Sequence, residues 1–233
     1  MDPIDGTRGL MYDKRPAWSL AGVAPNRGPD TRLRDIVVSV MTELPTSKMG
    51  WSDVIWASRG GGVHGSRLDL HGGREAPLSL RPSTTTTINH GFATISNFFP
   101  GTKVLASELM EFLAANLIGP ADVTRATVFD DQYISTAGQW YELMVGHDRF
   151  IADLRLAFYR IRGLPQGISC HPYDCAALVI AEEAGVILTD EAGQPLDGPL
   201  DVTTGLNWVG YANATLRQAI EPLVREFLET RLT

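Results

Sequence analysis

Hydrophobic positions between residues 17 and 80 alternate over short stretches, as in β-strands, and form no helical stripe. Turn residues such as Pro25, Asn26 and Gly28 separate these stretches. The pattern therefore predicts an antiparallel meander, and we expect helices to cover one face of it. Its strands are predicted at residues 17–24, 35–43, 53–57, 63–70 and 76–80.

Helical spacing dominates after the polar segment 82–87. Apolar residues between 104 and 117 recur at helical spacing and stop at Gly119-Pro120, which predicts a helix. The remaining predicted elements are a strand at 127–129 and helices around 138–145, over 174–184 with Gly185 as C-terminal cap, and over the tail 214–228. We expect two subdomains, a β-rich one at residues 1–100 and an α/β one at 101–233, with a site in the crevice between them.

Composition and charge narrow the class of protein. With 233 residues, 44% of them hydrophobic and 20% charged, the chain is expected to form a compact globular protein. The net charge of −7 and the scattered Lys and Arg residues argue against a nucleic-acid surface. Its apolar runs are shorter than the roughly 20 residues that span a bilayer, and its start lacks a signal peptide's apolar region. We therefore expect a cytoplasmic protein without a membrane partner.

Two short motifs favour ordinary structural roles. Cys170 and Cys175 flank His171, but a zinc site needs four ligands and no second Cys/His pair has suitable spacing. Buried free thiols are the better interpretation. The segment 60–65 matches the dinucleotide-binding glycine pattern, yet the alternating residues after it indicate a strand, so we predict a hairpin there.

The first residues of the chain carry the strongest chemical signal. Asp2-Pro3-Ile4-Asp5-Gly6-Thr7 places two carboxylates three residues apart, with a proline and a glycine that constrain the backbone between and after them. Carboxylates and a backbone carbonyl, here that of Ile4, are ligands that hard divalent cations prefer. The N–H groups of Gly6 and Thr7 are then available to a phosphate. A single Asp-x-x-Asp would usually be a cap or a turn, but the full six-residue string is much rarer by chance.

This string resembles the Asp-Pro-Ile-Asp-Gly-Thr signature of the inositol monophosphatase-like family, whose relatives include fructose-1,6-bisphosphatases and 3′-phosphoadenosine-phosphate phosphatases. A second segment, Tyr173-Asp174-Cys175-Ala176-Ala177 followed by Glu183-Ala184-Gly185, resembles the family's Trp-Asp-x-Ala-Ala helix start. Alone, Asp174 would be interpreted as a helix N-cap. Paired with the first motif, it becomes a third carboxylate of the site. The order of the elements also fits, so the resemblance covers nearly the whole chain.

The resemblance implies a layered αβαβα sandwich of mixed α+β and α/β character and a Mg²⁺-dependent phosphatase that hydrolyses a small phosphomonoester. The substrate would be inositol monophosphate or another sugar phosphate, attacked by metal-activated water. Carried over residue by residue, Asp2, Asp5, Asp174 and the Ile4 carbonyl bind the metal. Gly6 and Thr7 bind the phosphate through their N–H groups, and the Thr7 hydroxyl orients the water. Asp5 and Thr7 are thus the expected catalytic residues, and a homodimer is expected from the family.

Three departures from the family pattern leave alternatives open. The family's acidic ligand in a Gly-Glu-Glu segment and two covering helices precede the Asp-Pro motif, so we expect a chain truncated at the N-terminus. Tyr173 replaces a tryptophan, and Gly167 replaces an acidic residue that contacts inositol. One alternative is therefore a non-catalytic family remnant that binds cation and phosphate weakly. Another is fructose-1,6-bisphosphatase or 3′-phosphoadenosine-phosphate phosphatase activity.

Other charged residues near the motifs carry weaker signals. Arg8, Lys14 and Arg15 could meet a second phosphate or a sugar oxygen, although solvated surface charge is the more ordinary interpretation. The pair Asp130-Asp131 could bind a further cation but fits an exposed loop equally well. His147 and His171 lie nearest the motifs, and neither has a partner in sequence that would make it a general base.

Overall fold

An antiparallel sheet of six strands forms the first part of the chain in the computed structural model, which describes residues 1–232. The strands follow one another in sequence order, so the predicted meander is confirmed. They are β1 (Asp2–Asp5), β2 (Ala17–Val23), β3 (Val38–Leu44), β4 (Trp51–Ser58), β5 (Val63–Asp69) and β6 (Glu75–Pro77). Segment 60–65 makes the turn between β4 and β5 and enters β5, as the predicted hairpin requires.

A second, mixed sheet has five strands in the order β10-β11-β9-β7-β8. They are β7 (Gly91–Ile95), β8 (Val128–Phe129), β9 (Asp148–Asp153), β10 (Ile187–Thr189) and β11 (Trp208–Tyr211). The central strand pair β7 and β9 is parallel, whereas β9, β11 and β10 pair antiparallel. Because β7 already belongs to this sheet, the two sheets divide between residues 77 and 91, ahead of the subdomain boundary expected at residue 100.

Within residues 1–232, six α-helices accompany the sheets: α1 (Thr7–Met11), α2 (Lys103–Leu117), α3 (Thr136–Met144), α4 (Arg155–Ile161), α5 (Leu178–Ala184) and α6 (Ala214–Leu232). The helix predicted at 174–184 begins later, at Leu178, because residues 172–177 form consecutive turns. Asp174 is therefore not the N-cap of this helix, a position that Ala177 occupies. Gly185 adopts a φ of 96° at the other end, which confirms the glycine C-cap.

The helices and sheets stack in layers around a large apolar core. Helices α3 and α5 pack between the two sheets, and α2 and α6 pack together against the outer face of the second sheet. The inner face of the first sheet is closed, since Trp18, Leu20, Met41 and Ile55 are buried there. This arrangement confirms a layered α+β fold.

The outer face of the first sheet carries exposed apolar side chains. Val23 and Val38 are register partners across β2 and β3, and Val40 and Trp56 are partners across β3 and β4. All four are more than a third exposed. Residues 1–232 thus form four layers, in the order sheet, helices, sheet and helices. The expected αβαβα sandwich has a fifth layer, of helices, on the outer face of the first sheet.

No helix within residues 1–232 is both long enough and apolar enough to cross a lipid bilayer.

Candidate metal centre

Three aspartates from distant parts of the sequence meet at the end of the first sheet. Asp2 and Asp5 lie at the two ends of β1, and Asp174 lies in the turns that precede α5. One carboxylate oxygen from each residue lies within 4.8 Å of the other two. The structure therefore brings together all three carboxylates that the two motifs predict.

A bulge in β1 explains how Asp2 and Asp5 reach the same side of the strand. Residues three apart in a regular strand point to opposite faces of the sheet. Here Asp2 pairs with Leu20 and Asp5 with Trp18, so three steps along β1 oppose two along β2. The extra residue re-aims one side chain, as β-bulges commonly do beside functional sites.

The start of α3 fixes the position of Asp5. The Ser135 hydroxyl and the Ala137 N–H donate hydrogen bonds of 2.9 and 2.7 Å to the same carboxylate oxygen, Oδ2. Ser135 is itself the N-cap of α3, and its Oγ accepts from the N–H of Gly138 at 2.8 Å. Asp5 is only 8% exposed, and burial raises its pKa from 3.8 to about 7 despite these hydrogen bonds.

Asp174 is held by its own turn. The N–H of His171 donates to Asp174 Oδ2 at 2.7 Å, and the imidazole of His171 stacks on Tyr173. Burial raises the pKa of Asp174, and the negative charges of Asp5 and Asp2 raise it further. Carboxylates so close together repel one another when all are ionised, and a bound divalent cation would remove this repulsion. The three carboxylates therefore fit a hard metal ion.

The residues between and after the aspartates complete the motif. The Thr7 hydroxyl donates to the Ile4 carbonyl at 2.8 Å, which leaves the second lone pair of that oxygen for another partner. Gly6 has a φ of 92°, and a Cβ there would lie 3.0 Å from the Cβ of Ser135. A glycine is therefore required both by the backbone conformation and by the close approach of the α3 cap.

A cavity of about 390 Å³ opens over the carboxylates. Ile4, Gly6 and Thr7 line it together with the three aspartates, so every predicted metal or phosphate ligand faces one space. Beyond them the lining consists of Arg8, Phe98, Phe99, Ile134, Ser135, Thr136, Arg155, Ile168, Ser169, His171 and Tyr173. Another depression, lined by residues that include Tyr159 and Asp190, lacks such a carboxylate cluster, which within residues 1–232 occurs only at the three aspartates.

Several other candidate residues have structural partners instead. Arg15 forms an ion pair with Asp131 and lies 5.0 Å from the ring centroid of Tyr133. Asp131 is thus neutralised by a protein cation, which removes the reason to place a metal at the 130–131 pair. Gly167 packs against Tyr159, whose ring would lie 2.8 Å from an added Cβ. His147 contacts Glu142.

The two cysteines are buried free thiols, as predicted. Their sulfur atoms lie 3.4 Å apart behind the Asp174 turn. The Cys/His zinc site considered from the sequence is not present among residues 1–232, where the aspartate cluster is the one group of three or more close metal-ligand side chains.

The sequence did not identify several residues of this site. Ser135 escaped because the helix after it was predicted to start near residue 138, which hid its capping position. Phe98 and Phe99 lie in an irregular segment after β7, and Arg155 begins the short helix α4. The local signal that could have revealed this cap is the serine itself, a residue type preferred at the N-cap position directly before a helix.

Comparisons with known proteins assign the fold. No protein-family model matches the sequence, and comparison with curated proteins gives no significant match. Solved structures do match: fructose-1,6-bisphosphatase of Leishmania major in its T-state superposes with a TM-score of 0.66, over 98% of this chain and 68% of that one, at 15% identity. The chain has the inositol monophosphatase fold.

Two further structures with the inositol monophosphatase fold illustrate the same relation. SuhB of Mycobacterium tuberculosis matches 100% of this chain and 72% of its own, with 18% identity and a TM-score of 0.59. An inositol monophosphatase from Anabaena matches 98% of this chain and 69% of its own, with 14% identity and a TM-score of 0.52. At such identities the likeness establishes the fold and leaves the activity to be argued from the site.

Proposed function

We propose that this chain is a Mg²⁺-dependent phosphatase that hydrolyses a small phosphomonoester, such as inositol monophosphate or another sugar phosphate. The observation that carries the proposal is the convergence of Asp2, Asp5 and Asp174 within 4.8 Å at one end of an open cavity. The fold supports it, because solved structures with this fold include proteins described as inositol monophosphatase and fructose-1,6-bisphosphatase.

The metal ligands in this proposal are the three carboxylates and the Ile4 carbonyl, all hard oxygen donors. Bound Mg²⁺ supplies Lewis-acid polarisation of the phosphate and a lower pKa for the attacking water. The protein keeps the ligands in place: Ser135 and Ala137 hold Asp5, and the His171 N–H holds Asp174. Such hydrogen-bonded support is what gives a metal site its affinity.

The residues after the aspartates serve the phosphate and the water. Gly6 and Thr7 line the cavity, and their backbone N–H groups are proposed to donate to phosphate oxygens. The Thr7 hydroxyl already donates its proton to the Ile4 carbonyl, so its oxygen is left to accept a hydrogen bond from the attacking water. This arrangement would orient the lone pair of the water towards phosphorus.

Two measurements test the proposal on the same protein. Phosphate release from inositol monophosphate, fructose bisphosphate, 3′-phosphoadenosine phosphate and glycerol phosphate is measured with Mg²⁺ and with excess EDTA. Cation binding is measured separately by calorimetry. We expect Mg²⁺-dependent release that Asp5→Asn lowers at least about tenfold, because loss of one ligand weakens the metal site. Asp122→Asn, which alters an exposed loop carboxylate outside the cavity lining, is the matched control.

The outcomes separate the alternatives. Cation binding without release from any ester would favour a non-catalytic protein with this fold. Faster release from fructose bisphosphate would favour fructose-1,6-bisphosphatase activity. Faster release from 3′-phosphoadenosine phosphate would favour the corresponding phosphatase activity. Absence of both cation binding and release would refute the metal site itself.

A further inference from the structure

The cavity over the aspartates has a second wall of a different character. Phe98, Phe99, Ile134 and Ile168 line it, and we refer to these four residues as the apolar wall. Ile134 is 41% exposed and Ile168 67% exposed, so both side chains present apolar surface to the open cavity. The two phenylalanine rings meet edge to face, with centroids 6.1 Å apart. The wall therefore offers flat aromatic surface next to the carboxylates.

Arg155 holds the apolar wall together. Its side chain is only 6% exposed, and its Nε and Nη2 groups both donate to the carboxylate of Asp153, which neutralises its charge. Nη1 donates to the Ile168 carbonyl at 3.1 Å. The guanidinium carbon lies 5.2 Å from the ring centroid of Phe98 and 5.6 Å from that of Phe99. Arg155 thus positions the wall and is not a free cation for a second anionic group.

A second contact fixes the segment that carries the phenylalanines. The side chain of Gln132 accepts from the N–H of Asn97 at 2.9 Å and donates to the carbonyl of Ile95 at 2.9 Å. The chain therefore leaves β7 in a defined direction and delivers Phe98 and Phe99 to the cavity. A wall that is already positioned loses little conformational freedom when a ligand binds.

The apolar wall offers no side-chain hydrogen-bonding group to the hydroxyls of a polyol, and the other polar side chains of the lining, including Arg8, His171 and Tyr173, lie outside it. The Ser135 and Thr7 hydroxyls already donate to Asp5 and to the Ile4 carbonyl. Within the part of the chain that the structure describes, the lining has no carboxylate other than the three aspartates. The buried Ser169 Oγ has no partner, but one hydroxyl can satisfy only one of several on a polyol. A polyol would lose hydrogen bonds with water that the wall cannot replace.

We propose that this site selects phosphomonoesters whose leaving alcohol carries a flat apolar ring over esters of polyols. The inference rests on the proposed phosphatase function and shifts its substrate class from the inositol and sugar phosphates named there to esters of ring-bearing alcohols. Phosphate would lie at the aspartates, and the ring of the leaving group would pack against Phe98 and Phe99. A single methylene group in a hydrophobic pocket changes kcat/KM by roughly 10- to 200-fold, so a whole ring should reach at least the lower end of this range.

Phenethyl phosphate and glycerol phosphate make a suitable pair of probes, because both are alkyl esters and differ mainly in the ring and the hydroxyls. We expect kcat/KM with Mg²⁺ to be at least about tenfold higher for phenethyl phosphate. In the Phe98→Ala/Phe99→Ala double variant this ratio should approach one. Phe92→Ala truncates a half-exposed phenylalanine that pairs with Phe129 outside the cavity, and it should leave the ratio unchanged.

Two results would overturn the inference. One is a wild-type ratio near one or in favour of glycerol phosphate, and the other is an unchanged ratio in the double variant. Circular dichroism checks that the double variant is folded. If it is not, Phe98→Leu and Phe99→Leu, which keep apolar side chains without a flat ring, replace it in the same comparison.

A binding measurement separates this inference from the phosphatase proposal. Phenethyl phosphonate and a dihydroxyalkyl phosphonate cannot be hydrolysed, and their affinities are measured by calorimetry with Mg²⁺ present. Tighter binding of the phenethyl compound, lost in the double variant, would uphold the inference even if no ester were hydrolysed. Hydrolysis of esters with equal binding of the two phosphonates would uphold the phosphatase and refute the inference. Binding of neither phosphonate would refute it as well.

Discussion

Glu43 lies buried on the inner face of the first sheet and is expected to make the stability of the protein depend on pH near neutrality. It is 8% exposed, and one of its carboxylate oxygens accepts from the N–H of Asp53 at 3.2 Å. Burial raises its pKa from 4.5 to about 7, and the charge of Asp53 adds to this. Glu142 on α3 acts in the same direction, whereas Arg67 on β5 opposes it.

The sign and size of the effect follow from this pKa. Between pH 4.5 and about 7 the folded protein keeps the proton of Glu43 while the unfolded chain loses it. The free energy of unfolding should therefore fall as pH rises through this window and level off above it. At about 1.4 kcal/mol for each pH unit, the upper bound is about 3 kcal/mol, and we expect a loss of about 2 kcal/mol.

Glu43→Gln isolates this contribution, because glutamine resembles the protonated acid and keeps an oxygen for the Asp53 N–H. Urea unfolding of wild type and variant is measured at several values of pH between 5 and 8. We expect similar stability at pH 5 and a variant more stable by about 2 kcal/mol at pH 8. Glu226→Gln, on the exposed side of α6, serves as control and should follow the wild type. If the Glu43→Gln and wild-type curves stay parallel across this range, Glu43 does not titrate there and the reasoning is wrong.

Three further substitutions test the site and its supports. Gly185→Ala should cost about 1 kcal/mol of unfolding free energy, because its φ of 96° is strained for alanine although no atom lies within 4 Å of the new Cβ. Gly138→Ala should cost about 3 kcal/mol, since its Cβ would lie 2.3 Å from the hydrogen-bonded Tyr133 ring. Asp174→Asn should reduce the rise in melting temperature that millimolar Mg²⁺ produces, and Asp122→Asn should not.

The sequence by itself identified the carboxylates of the candidate metal centre and the outline of the first sheet. Asp2, Asp5 and Asp174 were chosen from local motifs, since ligand type and the constraints of neighbouring proline and glycine residues are local properties. The central strands β3 and β4 of the meander were recognisable because each has one buried and one exposed face. For example, β3 alternates between buried and exposed positions along most of its length.

Other strands gave no such signal. Every residue of β11 is buried, as are five of the six residues of β9, so neither shows an alternation of polar and apolar positions. The sequence of a strand that is covered on both faces is a short apolar run, which could equally belong to a buried helix. Whether it forms a strand depends on the elements that pack against it. The sequence also gave no sign of where α5 begins. The Asp174 side chain accepts a hydrogen bond from the His171 N–H, which stabilises turns at residues 172–177 in place of the first helical turn.

Only the tertiary structure decided how the site is assembled and what surrounds it. The bulge in β1 turns Asp2 and Asp5 to one side, and packing of α3 and α5 between the sheets brings Ser135 and Asp174 to them. The apolar wall depends in the same way on Arg155, whose contacts reach both Phe98 and the Ile168 carbonyl. A sequence specifies which groups each segment carries, but distances between segments are set by the packing of the whole core, in which every element constrains the others.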